Sequence, residues 1–534
     1  MSKQLYKNTW ILLRLIIKRD RVRIPVWLLL LSTLTFLVAV AFTDLYKNEA
    51  ERQAIAETMK NPAMTAMVGQ GYGLENYTNG AMLAHQMLLF TAMAVGIMCI
   101  LLVVRHTRAD EEDGRIEMIR SLPAGRLANL NSAILVLFLV NLLLALIVGL
   151  GLYALGIESM NLEGSLLYGA ALGATGIFFT AVTAFFAQLS ESSRGTMGFS
   201  ITLLLMAYLL RAIGDVSNEA LSWLSPLGWI ASSEVYVNNY WWPIILTVCA
   251  AFILVILSFY LNAIRDLDAG FLPAKPGRKK ASSFLLSPLG LAFRIQRTSL
   301  IAWALGMFIL GASYGSVLGD LESFFTDNDR MQDLLTPIEG SSLTEQFLTM
   351  LMSVISMICT IPSLMAVLKL KGEERRNRTE HLLSRAVSRI RLMGSYFAIS
   401  LVCGFVMLSL AVIGLGAIGN SVMEEGIAFS KLYSAAIVYL PAMWVMIGIA
   451  ILLIGIAPKL SSLVWAYLTY SFFVVYLGGL LQLPEWMSTL SPFDHIPKLP
   501  VEELDYMKIV TLSIVAIVII AVGFIGYRKR DIQG

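Results

Sequence analysis

Residues 130–153 read LNSAILVLFLVNLLLALIVGLGLY, and residues 509–525 read IVTLSIVAIVIIAVGFI. Neither stretch contains a charged residue, and each is apolar on every side. A helix needs about 17 to 25 such residues to cross the hydrocarbon core of a bilayer. Because lipid offers no hydrogen-bond partner to bare backbone groups, a crossing stretch must be helical or belong to a closed barrel. Barrel strands alternate polar and apolar residues, so both stretches predict membrane-spanning helices.

The composition of the whole chain agrees with these two stretches. Of its 534 residues 57% are hydrophobic and only 14% are charged, against about 25% in soluble proteins. The mean hydropathy is +0.71. The sequence predicts an all-α integral membrane protein with about twelve transmembrane helices, at residues 24–44, 86–104, 128–155, 165–188, 197–213, 242–263, 300–319, 346–368, 391–417, 432–454, 461–479 and 507–527.

The distribution of Lys and Arg predicts the orientation of the chain. Alternate segments between the predicted spans hold 32 of the 40 basic residues. Positive charge stays on the cytoplasmic side of a membrane, so we expect a multi-pass protein of the cell membrane with both termini inside the cell. The formal net charge of +3 therefore reflects topology and anionic lipid headgroups, and indicates no nucleic-acid partner.

The chain repeats itself, because four landmarks recur in the same order and at equivalent positions between spans. The pairs are residues 21–27 with 297–303, 111–126 with 374–389, 224–226 with 490–492, and 265–267 with 530–532. An even number of spans per copy makes the repeat parallel, about an axis along the membrane normal. We expect a first six-helix half at residues 1–270, a cytoplasmic linker at 271–290 and a second half at 291–534.

The repeated loop is the most informative part of the chain. Residues 110–126 and 373–389 are each acidic, then mixed, then apolar at helical spacing, with Ile116, Ile119 and Leu122 in the first copy. This pattern predicts short amphipathic helices that lie against the membrane or a partner protein. The plainer interpretation is a solvated charged turn whose basic residues only set the topology. Duplication argues against it, since topological anchoring does not require a retained pattern of carboxylates.

The loop pattern resembles a known family. Glu-Glu-x-Gly-Arg-x-Glu followed by Ser-x-Pro-x-x-Arg, at residues 111–126, is similar to the coupling helix of type-2 ABC exporter permeases. Across the whole chain, residues 210–215, 225–229 and 265–270 resemble a branch of fused twelve-span permeases, the polyketide antibiotic (tetronasin-type) exporters. The second copy of the loop departs from the pattern, with Asn377 in place of glycine and Ala386 in place of proline.

The resemblance implies that two copies of an ABC ATPase subunit sit beneath the permease, and that each holds one loop in a groove. We therefore name residues 110–126 and 373–389 the first and second coupling segments. The implied ATPase contacts are Glu111, Gly114, Arg115, Glu117, Ser121, Pro123 and Arg126, with Glu374, Arg378, Glu380, Ser384 and Arg389. The chain has no phosphate-binding loop and not even a Gly-Lys dipeptide, so ATP and Mg²⁺ would be bound by the partner. We expect no catalytic residue, metal or cofactor in this chain.

The resemblance also implies that the second and fifth spans of each half line a pathway for a lipophilic small molecule. The candidates there are Met206, Tyr467, Tyr470 and Tyr476, although such side chains also serve plain packing. Further landmarks lie in the predicted outer loops: Arg211, Asp215, Ser225, Pro226, Ser491 and Pro492. Arg211 either pairs with Asp215 as a structural element or belongs to the pathway.

Other functions remain open at this point. An ion-driven secondary drug transporter can also have two six-span halves, but such carriers usually keep charged residues within the membrane, and the predicted spans contain almost none. An ABC permease that moves lipid or a cell-envelope component fits the same features. A membrane scaffold or sensor would not stimulate a partner ATPase in response to lipophilic compounds. The sequence favours a permease subunit of an ATP-driven exporter of lipophilic drugs or antibiotics.

Overall fold

A computed structural model of the chain describes residues 2–60, 62–272, 279–318, 343–385, 387–423, 426–477, 484–499, 501–502 and 504–531. The chain divides into two compact units, Met1–Gly277 and Arg278–Gly534. Regular structure in the described ranges is helical apart from one isolated bridge between Ser190 and Leu272. The predicted all-α fold class is confirmed.

The helices of the first unit alternate between long apolar helices and short polar ones. They are α1 (Ser2–Leu5), α2 (Thr9–Arg19), α3 (Arg23–Leu45), α4 (Glu49–Met59), α5 (Pro62–Val68), α6 (Asn79–His106), α7 (Arg108–Glu112), α8 (Arg115–Arg120), α9 (Ala128–Ala154), α10 (Leu162–Leu189), α11 (Ser193–Ser217), α12 (Glu219–Ser222), α13 (Pro226–Ala231) and α14 (Trp242–Ile264).

The second unit repeats the order of long and short helices. Within the described ranges its α-helices are α15 (Pro288–Val317), α16 (Leu343–Glu374), α17 (Arg378–Leu383), α18 (Arg389–Val422), α19 (Phe429–Ile437), α20 (Leu440–Ile456), α21 (Leu463–Leu477), α22 (Glu485–Thr489) and α23 (Tyr506–Lys529). Two short 3₁₀ helices, Ser283–Leu286 and Pro458–Leu460, precede α15 and α21. Short helices thus occupy both predicted coupling segments, as α8 and α17.

Eleven helices in the described ranges are long and apolar enough to cross a membrane, with α19 and α20 forming one of them. The exception among the predicted spans is 461–479. Its helix, α21, has 15 residues. At a rise of about 1.5 Å per residue it is roughly 22 Å long, short of the ~30 Å hydrocarbon core. Residues 478–483, which follow it, lie outside the described ranges.

Two helices begin well before the predicted spans. Helix α6 begins at Asn79, where the Thr78 hydroxyl accepts a hydrogen bond from the backbone N–H of Ala81 at 3.2 Å. Helix α15 begins at Pro288 after the Ser287 cap. Hydropathy marks only the apolar part of a helix, whereas a polar cap satisfies the free N–H groups of its first turn and lets it continue into a polar environment.

Each unit packs around its own apolar core, and glycines let the helices after the coupling segments approach their neighbours. Helix α9 packs on α10, where a Cβ at Gly169 would overlap the carbonyl oxygen of Ala145. Helix α18 packs on α15, where a Cβ at Gly311 would overlap that of Ala411. Such small-residue contacts give close packing between apolar helices. Each coupling segment therefore leads directly into a tightly packed helix.

Candidate functional site

Both coupling segments turn on one residue with a left-handed backbone. In the first, Gly114 has φ +72° and joins α7 to α8. In the second, Asn377 has φ +57° and immediately precedes α17. Glycine takes this conformation freely, and asparagine is among the few other residues that tolerate it. The departure of Asn377 from the family pattern therefore keeps the turn of the backbone. Ala386, the other departure, lies outside the described ranges.

A buried ion pair fixes the first coupling segment to the end of its unit. The Glu111 carboxylate accepts hydrogen bonds from both terminal nitrogens of Arg265, each at 3.0 Å. The guanidinium of Arg108 lies 3.3 Å from the same carboxylate, and the backbone N–H of Asp268 donates to it at 2.8 Å. All three charged side chains are buried. The negative charge of Glu111 is thus balanced by two buried cations.

The second coupling segment is fixed in the same way. The buried Glu374 carboxylate pairs with Arg530, and the nitrogen-to-oxygen distance is 2.6 Å. The hydroxyl of Tyr527 also donates to Glu374, at 2.7 Å. Here one guanidinium and one hydroxyl replace the two guanidinium groups of the first unit. The two units therefore share the clamp but balance its charge differently.

The far end of each coupling segment bonds to the same closing arginine. Arg126 donates to the backbone carbonyl of Arg265 at 2.6 Å, and Arg389 donates to that of Arg530 at 2.5 Å. Each segment is therefore bonded at its beginning and at its end to the residue that follows the last helix of its unit. Movement of the segment would be transmitted to the end of α14 or α23.

An ion pair within each segment also recurs. Asp110 and Arg115 are 2.6 Å apart across the turn in the first segment, and Glu373 and Arg378 are 3.2 Å apart in the second. The hydrogen bond that Arg115 donates to Asp110 is the main reason why the pKa of Arg115 is raised. Both pairs join the start of the segment to its short helix. The duplication thus extends to individual charge pairs.

The residues predicted to contact an ATPase divide into an inner and an outer group. Glu111 and Glu374 are buried against arginines of their own unit, and a direct contact of either with an ATPase stays a prediction. Arg126 and Arg389 each use a guanidinium nitrogen on an internal carbonyl. Gly114 is partly buried at the turn. The exposed members of the predicted set are Arg115, Glu117, Ser121, Pro123, Arg126, Arg378, Glu380 and Ser384, although one nitrogen of Arg126 is held internally.

The exposed faces of the two segments differ in chemistry. The first presents two large apolar side chains, Met118 with 64% and Leu122 with 63% of its surface exposed. The aligned positions of the second carry exposed His381 and Arg385. The first segment contains five acidic and three basic residues, and the second contains three acidic and five basic ones. Exposed apolar side chains rimmed by charge are typical of protein interaction sites.

Comparisons with known proteins agree with this duplicated arrangement. The family described as "Multidrug efflux system permease Rv1217c, C-terminal domain" matches residues 28–261 and again residues 285–528. The multidrug efflux system permease protein Rv1217c of Mycobacterium tuberculosis (strain ATCC 25618 / H37Rv) is 36% identical to this chain over 533 residues. The match covers 99% of this chain and 96% of the relative. The chain belongs to this family of efflux permeases.

One family therefore matches both units of the permease, as expected of a duplicated chain. The multiple apolar helices and the family together make the permease a multi-pass membrane protein. Family membership also makes it a transport subunit rather than an enzyme. These matches support a permease exporter without extending to the tetronasin-type branch.

The amino-terminal residues of the permease run along the end of the first coupling segment. The backbone N–H of Gly125 donates to the carbonyl of Lys7 at 2.9 Å, and that of Leu127 donates to Leu5 at 3.0 Å. A Cβ at Gly125 would overlap the carbonyl group of Leu5. Glycine is therefore required here by close approach of the backbone.

A buried Asp–His pair beside this segment was missed by the sequence analysis. Asp20 and His106 are almost fully buried, and their side chains are 2.5 Å apart. Arg105 lies 3.3 Å from the same aspartate. Arg19 pairs with Asp110 at 2.7 Å and so joins α2 to the coupling segment. The only signal in the sequence was the single aspartate among the basic residues at positions 14–23.

The predicted outer landmarks form anchors between helices. Arg211 is fully buried. It pairs with Asp215 at 3.0 Å and donates to the carbonyls of Ala66 at 2.8 Å and Met67 at 3.2 Å. Arg211 was expected either to pair with Asp215 as a structural element or to belong to the pathway, and these contacts favour the structural role.

The Ser-Pro landmarks cap equivalent turns in the two units. The Ser225 hydroxyl accepts from the N–H of Leu227 at 3.2 Å and donates to the carbonyl of Ala207 at 2.6 Å. The hydroxyl of Ser491 accepts from the N–H of Phe493 at 3.3 Å. Both serines are fully buried, so each fixes the turn that its proline begins.

The pathway candidates have mixed surroundings. Met206 lies on the surface of α11 and is half exposed. Tyr467 and Tyr470 stack on each other and donate to backbone carbonyls of the loop before the second Ser-Pro landmark, at 2.6 and 2.9 Å. Tyr476 stacks on a phenylalanine one turn away. A pathway role for these four residues stays a prediction.

No group of three His, Cys, Asp or Glu side chains within the described ranges is arranged to hold a metal ion. The buried carboxylates of the coupling segments, Asp110, Glu111, Glu373 and Glu374, pair with arginines. What the arrangement can do is therefore mechanical: it couples a surface segment to the helices of its own unit.

Proposed function

We propose that the permease is the membrane-spanning subunit of an ATP-driven ABC exporter that extrudes lipophilic drugs or antibiotics. The observation that carries this proposal is the duplicated clamp, in which Glu111 with Arg265 and Glu374 with Arg530 hold an exposed short helix against the end of each unit. The name of the mycobacterial relative, a multidrug efflux system permease, supports drugs as the substrate class. Polyketide antibiotics of the tetronasin type are the finer expectation from the resemblance.

In this mechanism two ATPase subunits, which bind ATP and Mg²⁺, each hold one coupling segment. Met118 and Leu122 insert into the groove that receives the first segment, with Glu117 at its rim. Glu380 and Arg385 contact the groove that receives the second. Because removal of one partner from a buried ion pair costs about 3–5 kcal/mol, the Glu111–Arg265 pair stays closed while the segment is pulled. The movement then reaches the end of α14 and alters access to the pathway.

The proposal places both coupling segments and both termini on the cytoplasmic side of the cell membrane. The excess of Lys and Arg in the same alternate segments supports this orientation. Membrane lipid surrounds the apolar helices, and no nucleic acid takes part. Labelling of single cysteines at positions 118 and 158 with an impermeant thiol reagent tests it. Only position 158 reacts from outside intact cells if the orientation is right.

The experiment that tests the function uses Leu122→Asp, with Leu224→Asp as the matched control. Both leucines belong to the first unit and are about two-thirds exposed, but only Leu122 lies on a coupling segment. We expect Leu122→Asp to abolish co-purification with an ATPase that carries a phosphate-binding loop, and to abolish ATP-dependent drug uptake into inverted vesicles without an ion gradient. The control keeps both. Equal activity of the two variants, or transport that needs an ion gradient instead of ATP, would contradict the proposal.

A second candidate, an ABC permease that moves lipid, is favoured by a groove in the second unit. The groove, of about 400 Å³, lies between α15 and α18 and is lined by apolar side chains such as Leu300, Val402 and Met407, with Arg297 as its one charged residue. An acyl chain and a phosphate group match that lining. ATP-dependent translocation of fluorescent phosphatidylglycerol, unaffected by drugs, would favour this candidate over drug export.

A further inference from the structure

A cavity of about 240 Å³ lies in the first unit at the end of α11 remote from the first coupling segment. The backbone N–H of Ser193, at the start of α11, donates to Glu112 of that segment at 2.7 Å, and the helix runs 25 residues from Ser193 to Ser217. At about 1.5 Å per residue, the two ends are roughly 37 Å apart. The side chains that characterise the cavity are Tyr72, Asp215, Trp223, Glu234, Tyr240 and Trp242.

Aromatic rings form much of the wall. The rings of Trp223 and Trp242 stack with centroids 5.2 Å apart and planes 9° from parallel. Trp223, Trp242 and Tyr240 line the cavity, and each residue is more than a third exposed. Tryptophan is the side chain that attracts a cation most strongly through its ring face. The wall is therefore suited to a positively charged organic group.

The cavity carries a negative charge, which is the sign that attracts a cationic group. Asp215 is compensated, because it accepts hydrogen bonds from Arg211 at 3.0 Å and from Ser222 at 2.7 Å. The Glu234 carboxylate accepts a hydrogen bond from the neutral amide of Asn238. No Lys or Arg stands among the described residues that line the cavity, and none of the ion pairs found in the described ranges includes Glu234. Among the described residues, the negative charge of Glu234 is therefore without a cationic partner.

The cavity is also held in shape without a ligand. Gly214 and Gly228 both pack against the backbone of Ser222 so closely that a Cβ at either position would overlap it. Arg211 bonds the same end of α11 to the carbonyls of Ala66 and Met67 in α5. The turn that carries Glu234 is fixed two residues later by Tyr236, whose hydroxyl lies 2.9 Å from that of Ser165. A preformed site loses less conformational entropy when it binds a ligand.

The volume of the cavity limits the size of the ligand that can enter it. Sites for whole drug-sized ligands measure about 300–1,000 Å³, and this cavity is smaller. We propose that it binds the tertiary or quaternary ammonium head group of an amphiphile, with the cation between Glu234 and the indole rings of Trp223 and Trp242. The rest of the amphiphile stays outside the cavity. The inference extends the proposed function by naming a substrate class, but the binding itself requires no ATPase.

The test uses the full-length permease in phosphatidylglycerol nanodiscs, with benzyltrimethylammonium as the probe and neopentylbenzene as its uncharged analogue. We expect calorimetric binding of the cation alone. Glu234→Gln and Trp242→Leu should each weaken it about fivefold, since the first removes the opposite charge and the second removes a ring face from a partly exposed cation–π site. Glu158→Gln and Trp486→Leu, exposed residues of the loop between α9 and α10 and of α22, are the matched controls and should bind as the unaltered protein does.

The same measurement in phosphatidylcholine nanodiscs distinguishes the source of the head group. If phosphatidylcholine competes with the probe, a membrane lipid can occupy the site. If it does not compete, the occupant is a soluble amphiphile. Either result supports the ammonium site. Equal binding of the uncharged analogue, or unchanged affinity in both Glu234→Gln and Trp242→Leu with normal thermal unfolding, would overturn it. A permease that binds the cation but never engages an ATPase would refute the proposed function and leave this site intact.

Discussion

Glu111→Gln removes the carboxylate that holds the first coupling segment. The variant leaves two guanidinium groups, of Arg108 and Arg265, buried without a counter-charge, and the side chains are only 1% and 6% exposed. Removing one partner from a buried ion pair costs about 3–5 kcal/mol, since the remaining charge stays desolvated. With roughly 2–4 °C of thermal shift per kcal/mol for a domain near this size, we expect the unfolding midpoint of the permease in detergent to fall by at least about 6 °C.

Two further variants make this measurement decisive. Glu374→Gln should cost less, because only one guanidinium, that of Arg530, loses its counter-charge and the Tyr527 hydroxyl can still donate to the new amide oxygen. Glu117→Gln, in the same segment but exposed, should change stability by no more than about 0.5 kcal/mol. If Glu111→Gln and Glu117→Gln unfold at the same temperature, the clamp does not stabilise the unit and the proposed transmission of movement through it fails.

Three other predictions concern the coupling segments. Gly125→Ala should displace the amino-terminal residues, because its Cβ would overlap the carbonyl group of Leu5, and should expose them to limited proteolysis. Gly198→Ala, at a position with open space around it, should not. Asn377→Val should destabilise the second unit by about 1–2 kcal/mol because a β-branched residue disfavours φ near +57°, whereas Asn377→Gly should be nearly neutral in thermal unfolding. A cysteine at position 122 should still cross-link to a bound ATPase in 0.5 M salt, because salt does not screen apolar contacts. A cysteine at position 385 should no longer cross-link, because salt screens the charge contacts there. Equal salt dependence at the two sites would contradict the different chemistry of the two exposed faces.

The sequence alone determined that this is an all-helical membrane protein built as two copies. Apolar length is local information, because a run such as residues 130–153 must find either lipid or other helices whatever the rest of the chain does. The duplication was also visible, since four landmarks recur in order. Helix ends were less predictable because they depend on caps such as Thr78, and hydropathy does not register them.

Only the tertiary structure decided which charged residues of the repeated coupling segments face outward. Glu111 and Glu117 are both acidic residues of one segment, yet the first is buried on Arg265 and the second is exposed. The two members of the clamp are 154 positions apart in the chain, so no local pattern joins them. The cavity near Glu234 likewise assembles from three separate stretches of loop and helix. Burial and charge compensation are properties of the packed chain, because they depend on which distant segments meet, and that is where the sequence stops being informative.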